Sequence, residues 1–174
     1  MSLRPQISDT DHIEGNVHAL IELVEYGDYQ CPHCGRAYPI VKRIQEELGT
    51  NLKFVFRNFP LRNVHPQAMK AAIATEAAGL QGKFWQMHDI VFENQNALSR
   101  SSLLKYAKVL ELDIDKFTID ITRSELRNKV AEDFESGIRS GVNGTPTFFI
   151  NGEKYNDSWE GDDMLNFILA NYNH

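Results

Sequence analysis

The chain predicts an α/β domain with a central mixed sheet and a block of helices set between its strands. Three observations carry this. Two mostly apolar segments, Ala19 to Tyr26 and Leu52 to Phe59, flank a stretch of helical period, as a βαβ unit requires. Residues from about His65 to Gly141 then hold only helical patterning. The chain finally returns to β at Thr147 to Ile150, followed by Asn151-Gly152, a strong hairpin signal.

The elements follow in order. Residues 1 to 18 read as an irregular arm, and the first strand runs from Ala19 to Tyr26. After it, Ala37, Ile40, Val41, Ile44 and Leu48 recur at helical spacing up to Gly49, a natural stop. Pro39 falls within this helix and predicts a bend, because the apolar period continues past it. Leu52 to Phe59, closed by Pro60, is then a second strand, parallel to the first and reached by a right-handed crossover.

The helical block divides into segments. One begins at Pro66 and ends at Gly79, a second spans Phe84 to Glu93, and a third is capped by Ser101 or Ser102. A short segment covers Ile114 to Ile121. A longer helix places Leu126, Val130, Phe134 and Ile138 on one stripe before Gly141. Asp162 to Tyr172 closes the molecule as an amphipathic helix with Met164, Leu165, Ile168 and Leu169 inward. The organisation is thus an arm (1–18), a sheet domain (19–62 and 142–174) and a helical insertion (63–141).

Composition bounds the function. The 174 residues are 42% hydrophobic and 24% charged, ordinary for a soluble globular domain. With 18 Lys+Arg against 24 Asp+Glu the net charge is −6, which argues against nucleic acid as the main partner. No run approaches the ~18 apolar residues of a membrane span, and Met1 to Asn16 has no apolar core of the signal-peptide kind. A cytoplasmic location is therefore expected, with an exported one as the alternative if a leader has been removed.

The chemistry concentrates in Glu25-Tyr26-Gly27-Asp28-Tyr29-Gln30-Cys31-Pro32-His33-Cys34, which holds both cysteines of the chain. Two thiols three positions apart at a helix start can close a disulfide and carry two electrons between partners. Cys31 lies where unpaired backbone N–H groups gather positive charge. Pro32 suits the first helical position, and a protonated His33 would add a second positive charge near the sulfur. Cys34, one turn on, would be the deeper, resolving thiol. A structural disulfide is the weaker reading, since so short a loop removes little unfolded-state entropy. A zinc half-site lacks a second cysteine pair; His65 would complete one only by accident of folding, and His88 reads as a packed or solvated side chain.

Two further positions have double readings. Strand alternation puts Glu25 on the face of Ile21 and Leu23, either as a carboxylate reaching solvent at the strand end or as a buried acid that takes the proton of Cys34. Glu22, on the opposite face, reads as structural. Pro146 is either a permitted proline at a strand start or the site of a cis Thr145-Pro146 bond beside Cys31, where a bound chain could pair as an extra strand.

In their order and spacing, these residues resemble the DsbA-like branch of the thioredoxin fold. The motifs are Cys31-Pro32-His33-Cys34 opening a helix, Glu25 six residues before, Pro39 five after, a helical insertion, and Gly144-Thr145-Pro146-Thr147 before a hairpin. The resemblance covers the chain from about Ala19. It implies a thiol-disulfide oxidoreductase with Cys31 as exposed nucleophile, Cys34 as resolving thiol and Glu25 as proton acceptor. It further implies Pro32 and His33 as tuners of redox poise, Pro146 as cis-proline and Thr145 as substrate dock. Expected partners are protein or small-molecule thiols and disulfides and a redox-recycling protein. The Cys31-Cys34 pair is itself the redox group, so no cofactor is expected. Thr145 stands where the periplasmic oxidases of this branch carry an apolar residue, which, with the absent leader, leans towards the cytoplasm. A redox-sensing or metal-binding module without catalysis is the alternative from another class.

Overall fold

The computed structural model describes residues 1–172. Strand β1 (His12–Gly15) is followed by β2 (Ile21–Gly27), helix α1 (Pro32–Leu48) and β3 (Leu52–Asn58). Five helices come next: α2 (Ala68–Gly79), α3 (Phe84–Phe92), α4 (Arg100–Val109), α5 (Ile114–Asp120) and α6 (Ser124–Arg139). The hairpin β4 (Thr147–Ile150) and β5 (Glu153–Lys154) leads to α7 (Asp163–Tyr172). The sheet order is β1-β3-β2-β4-β5.

Strands β2 and β3 are parallel, with Val24 opposite Val55, and the other pairings are antiparallel. The sheet is thus mixed, and its central strand β2 is covered on both faces. Leu23, Phe54, Phe56, Phe148 and Ile150 pack with α1, the helical block and α7. Val24, Tyr26, Val55, Phe59 and Phe149 pack with Leu3 and Phe134. Double coverage accounts for the nearly continuous apolar run that marked β2 in the sequence. At the β4–β5 turn, Asn151 and Gly152 both have positive φ, 47° and 80°, as the tight hairpin turn demands.

Several expectations need correction. Residues 1–18 are not simply an irregular arm. Ile13 pairs with Val55 as β1 joins the sheet edge, and Leu3 is buried. The physical reason is Arg57, a buried cation on β3 that must be paired. It binds both oxygens of Asp11 (2.8 and 2.9 Å) and donates to the carbonyls of Pro5 and Gln6, tying the N-terminal segment across the sheet. Helix α2 starts at Ala68, after a turn containing Pro66. Helix α4 is capped by Ser99, whose side chain accepts from the Ser102 amide, and not by Ser101 or Ser102. Ile138 is exposed because α6 presents Ser136 and Gly137 to the sheet instead. Ser136 bonds the Tyr26 hydroxyl at 2.8 Å, and a Cβ on Gly137 would lie 2.7 Å from the Phe59 ring. Leu169 is likewise 38% exposed rather than inward. Helix α1, in contrast, continues through Pro39 as the apolar period past it predicts.

The Arg57–Asp11 pair generates a prediction. Asp11→Ala leaves Arg57 buried without its carboxylate and should cost about 3–5 kcal/mol, measured by urea unfolding. The Arg57 hydrogen bonds and charge hold the Asp11 carboxyl below its usual value against the opposing effect of burial. Its stabilising contribution is therefore present above the unfolded carboxylate pKa and fades as pH falls through the folded one. The wild-type advantage over the variant should shrink in acid.

Candidate active site

The two thiols sit where the C-terminal end of β2 turns into α1. Gly27 closes the strand, and no larger residue fits: a Cβ there would lie 2.4 Å from the Phe56 ring and 3.0 Å from Oε1 of Glu25. The turn that follows is organised by Asp28, which is 1% exposed. Its Oδ1 accepts the amides of Gln30 (2.8 Å) and Cys31 (3.1 Å), and its Oδ2 accepts the Leu61 amide (2.8 Å) and Nδ1–H of His65 (2.8 Å). Cys31 occupies the N-cap of α1 in extended conformation, and Pro32 follows in the first turn, where its missing N–H costs nothing.

A second clasp comes from the helical block. Gln95, between α3 and α4, donates from Nε2 to the carbonyls of Tyr29 and Cys31, both at 2.9 Å. Gly35 makes room for this side chain, because a Cβ on it would lie 2.0 Å from Oε1 of Gln95. Gln30 accepts the Gln67 amide at 2.6 Å. Behind the turn, Tyr29 packs against Phe56 and Phe92, and its hydroxyl meets Nδ1 of His88 at 2.9 Å. Burial pushes the His88 pKa well down, so the ring is a neutral part of this aromatic wall.

The thiols are electrostatically unequal. Cys31 is lowered to about 5, first by a hydrogen bond from the Cys34 thiol, then by Thr145 and by the backbone amides of Cys34 and His33. Burial opposes these and is outweighed. Cys34 is pushed well up, chiefly by burial, with the Cys31 hydrogen bond and the negative charges of Glu25 and Cys31 adding to it. The amide of Asp28 donates to its sulfur at 3.4 Å. Glu25, 2% exposed, is raised to about 8 by burial and then by the charge on Cys31. Its Oε1 has no hydrogen-bond partner.

The structure brings together Cys31, Cys34, Glu25 and Thr145. Pro146 follows Thr145 through a cis bond, and the Cys31 thiol donates to the Thr145 carbonyl at 3.5 Å. The Thr145 hydroxyl is buried without a hydrogen-bond partner, and Thr145 is among the groups that lower Cys31. One expectation changes. Cys31 is only 3% exposed, not an open nucleophile, because the turn and the Thr145 backbone close over it. His33 is exposed, and its Nδ1 lies 2.9 Å from the Arg36 guanidinium. Glu25 does not reach solvent, while Glu22 pairs with Lys53 at 2.6 Å on the opposite face.

Four contributors escaped sequence reasoning: Asp28, His65, Gln95 and Arg36. Asp28 carried a signal, since an Asp three residues before a helix N-cap commonly bonds the following amides. Gln95 carried none.

An α/β sheet with a thiol pair at a helix start, a cis-proline strand opposite it and a helical insertion defines a thioredoxin-fold protein. Residues 7–170 match the family model described as thioredoxin, and the chain belongs to that family. Solved structures agree in fold. BdbD from Bacillus subtilis, in its oxidised form, superposes with a TM-score of 0.84 at 23% identity, over 97% of this chain and 96% of that one. A thioredoxin-like oxidoreductase from Silicibacter pomeroyi gives 0.78 at 23% identity over 94% of each. Among curated relatives, a Na(+)/H(+) antiporter NhaA 1 of Salinispora arenicola is 43% identical over 155 residues, 89% of this chain and 24% of the relative. An NhaA 3 of Salinispora tropica is 41% identical over 95% of this chain and 25% of its own length. The chain thus spans about a quarter of the curated relatives it matches, and no helix among the described residues is long and apolar enough to cross a membrane.

Following the thiolate absorbance of the reduced protein against pH should give a midpoint near 5. Thr145→Val removes one hydrogen bond to a charged sulfur, about 1.5 kcal/mol, and should raise that midpoint by about one unit. Exchange of the hydroxyl for a methyl without any shift would remove Thr145 from the account.

Proposed function

We propose that the chain is a thiol-disulfide oxidoreductase acting on protein or small-molecule substrates through a mixed disulfide at Cys31. The observation that carries this reading is the unequal pair: one sulfur lowered to about 5 and its neighbour pushed well up. A thiolate attacks while its partner waits as a protonated thiol, which is the division of labour that stepwise exchange needs.

The reductive direction proceeds in two balanced steps. Cys31 thiolate attacks one sulfur of a substrate disulfide, a Cys31–substrate bond forms, and the second substrate sulfur leaves as a thiolate. Cys34 then gives its proton to Glu25 and attacks the Cys31 sulfur, and the first substrate sulfur leaves. The substrate has gained two electrons and the pair is a disulfide. Oxidation of a dithiol is the same sequence reversed.

The charge on Cys31 is what orders these steps. While Cys31 is a thiolate it repels a charge on Glu25 and helps to hold that carboxyl protonated. Once the sulfur is tied up in a mixed disulfide that repulsion vanishes, Glu25 ionises more readily, and a base becomes available beside Cys34 when it is needed. Thr145 and cis Pro146 form the dock for the extended substrate chain, with Thr145 also stabilising the leaving Cys31 thiolate. Pro32 and His33 set the poise, His33 through Arg36.

Ionisation of Cys31 also sets the direction. At pH 7 a thiol lowered from 9 to about 5 favours the dithiol by about 3 kcal/mol over an ordinary thiol, or roughly 60 mV towards an oxidising potential. In a reducing compartment such as the cytoplasm the pair would be kept as a dithiol by its recycling partner and act as a reductase or isomerase. The similarity to a quarter of several antiporters supports a second reading, in which the same pair senses redox state beside an ion transporter.

Cys31→Ser should abolish insulin reduction, and Cys34→Ser should accumulate a Cys31 mixed disulfide with substrate. An active Cys31→Ser protein would overturn the assignment, and stoichiometric oxidation of the wild type without turnover would leave the sensing reading. Glu25→Gln should slow release of the mixed disulfide by roughly 10²-fold, the usual scale of a lost general base, and flatten its rise with pH below about 8. Stopped-flow measurement of the release step reads both.

A further inference from the structure

The helical block contains a cleft of about 320 Å³ whose lining includes the cations Lys70 of α2, Arg100 of α4 and Arg127 of α6 over a floor of Ile73, Leu103 and Phe117. None of its residues belongs to the thiol site. The floor residues are at most 7% exposed, while the three cations stand at the exposed rim.

What sets these three cations together is their place around one apolar cleft, where no carboxylate joins them in the lining. Nearby, Lys116 of α5 and Arg123, just before α6, both bind Asp120, and Lys129 of α6 binds Asp133. Among the described residues Lys70, Arg100 and Arg127 have no carboxylate within ion-pair distance, in a chain where acids outnumber bases by 24 to 18. Three like charges converging on one concave apolar surface raise the local positive potential, and an anion entering there relieves it. The cleft volume lies at the lower end of the ~300–1,000 Å³ range of small-ligand sites.

We propose that this cleft binds a small amphipathic carboxylate from solution, its apolar body against Ile73, Leu103 and Phe117 and its carboxylate held by Lys70, Arg100 and Arg127. Both halves are needed. A neutral alcohol of the same length would leave the cations unpaired, and a small inorganic anion would leave the floor in water. The site is independent of the thiol chemistry.

Decanoate is a suitable probe, titrated into the full chain by calorimetry, with nuclear magnetic resonance of the Ile73 and Leu103 methyl groups. The expected result is one-to-one binding that shifts both methyls, weakened at least roughly tenfold by the triple substitution Lys70→Gln, Arg100→Gln, Arg127→Gln and at least as much by replacing decanoate with decanol. These rim residues are exposed, so the triple variant should keep wild-type insulin reduction, which reports an intact fold. The proposal is overturned by absence of one-to-one binding, by unchanged affinity in the folded triple variant, or by equal binding of decanol. Binding to vesicles containing phosphatidylglycerol without binding of free decanoate would also overturn it, in favour of a membrane-facing patch.

Discussion

The buried carboxylate of Asp28 is the constraint on which the site depends. A charge that is 1% exposed must be satisfied where it lies. Its four hydrogen bonds come from two separate stretches, the turn at Gln30 and Cys31 and the loop at Leu61 and His65. Displacing either stretch would strand an acceptor in a dry interior. The loop after β3 is thereby locked to the turn after β2, and the Cys31 sulfur is held over the first amides of α1. The Asp28 backbone amide meanwhile donates to Cys34, so one residue holds both ends of the thiol motif.

Rigidity of this kind is what makes a shifted thiol possible. Hydrogen bonds from Cys34, Thr145 and two backbone amides exceed the burial penalty on Cys31 only because the donors are already in place. In a looser turn the sulfur would reach water and the donors would find other acceptors. The Gln95 clasp extends the same logic across the molecule: the helical block packs against the sheet domain and also supplies hydrogen bonds to the carbonyls flanking the nucleophile position. This gives the insertion a structural connection to the chemistry as well as to the core.

Legibility in the sequence followed the range of the interactions. The βαβ unit, the hairpin at Asn151-Gly152 and the thiol pair at a helix start are local patterns, and their periods and turn residues expose them directly. Glu25 was placed on the correct face by alternation alone. Contributions that cross the fold were not visible: Gln95 reaches a turn 64 residues away in sequence, and Asp11 reaches Arg57 across 46. The strand β1 was hidden for the same reason, since its short HIEG segment is recruited by the edge of β3 and by Arg57 rather than by its own pattern. The neighbour of His33 is local yet was not read from the sequence: Arg36, one turn on, lies 2.9 Å from its Nδ1.

Glu25 shows how far the site departs from what stability alone would favour. An acid raised from 4.5 to about 8 carries no penalty below its unfolded pKa, where both states are protonated. Between those values the native state retains a proton that the unfolded chain has lost, so stability falls as pH rises, and above 8 the full penalty of about 5 kcal/mol applies. An amide or an apolar side chain would avoid that loss while filling the same space beside Gly27 and Phe56. A carboxyl, unlike either, can exchange a proton with a neighbour whose own pKa is pushed well up. The unpartnered Oε1 is consistent with this: a hydrogen bond to the ionised oxygen would relieve the strain of burial, lower the pKa and leave a weaker base. An under-satisfied acid next to a well-organised sulfur is therefore a coherent pairing, in which tight bonding around Cys31 lowers its pKa and withheld bonding around Glu25 keeps its pKa high.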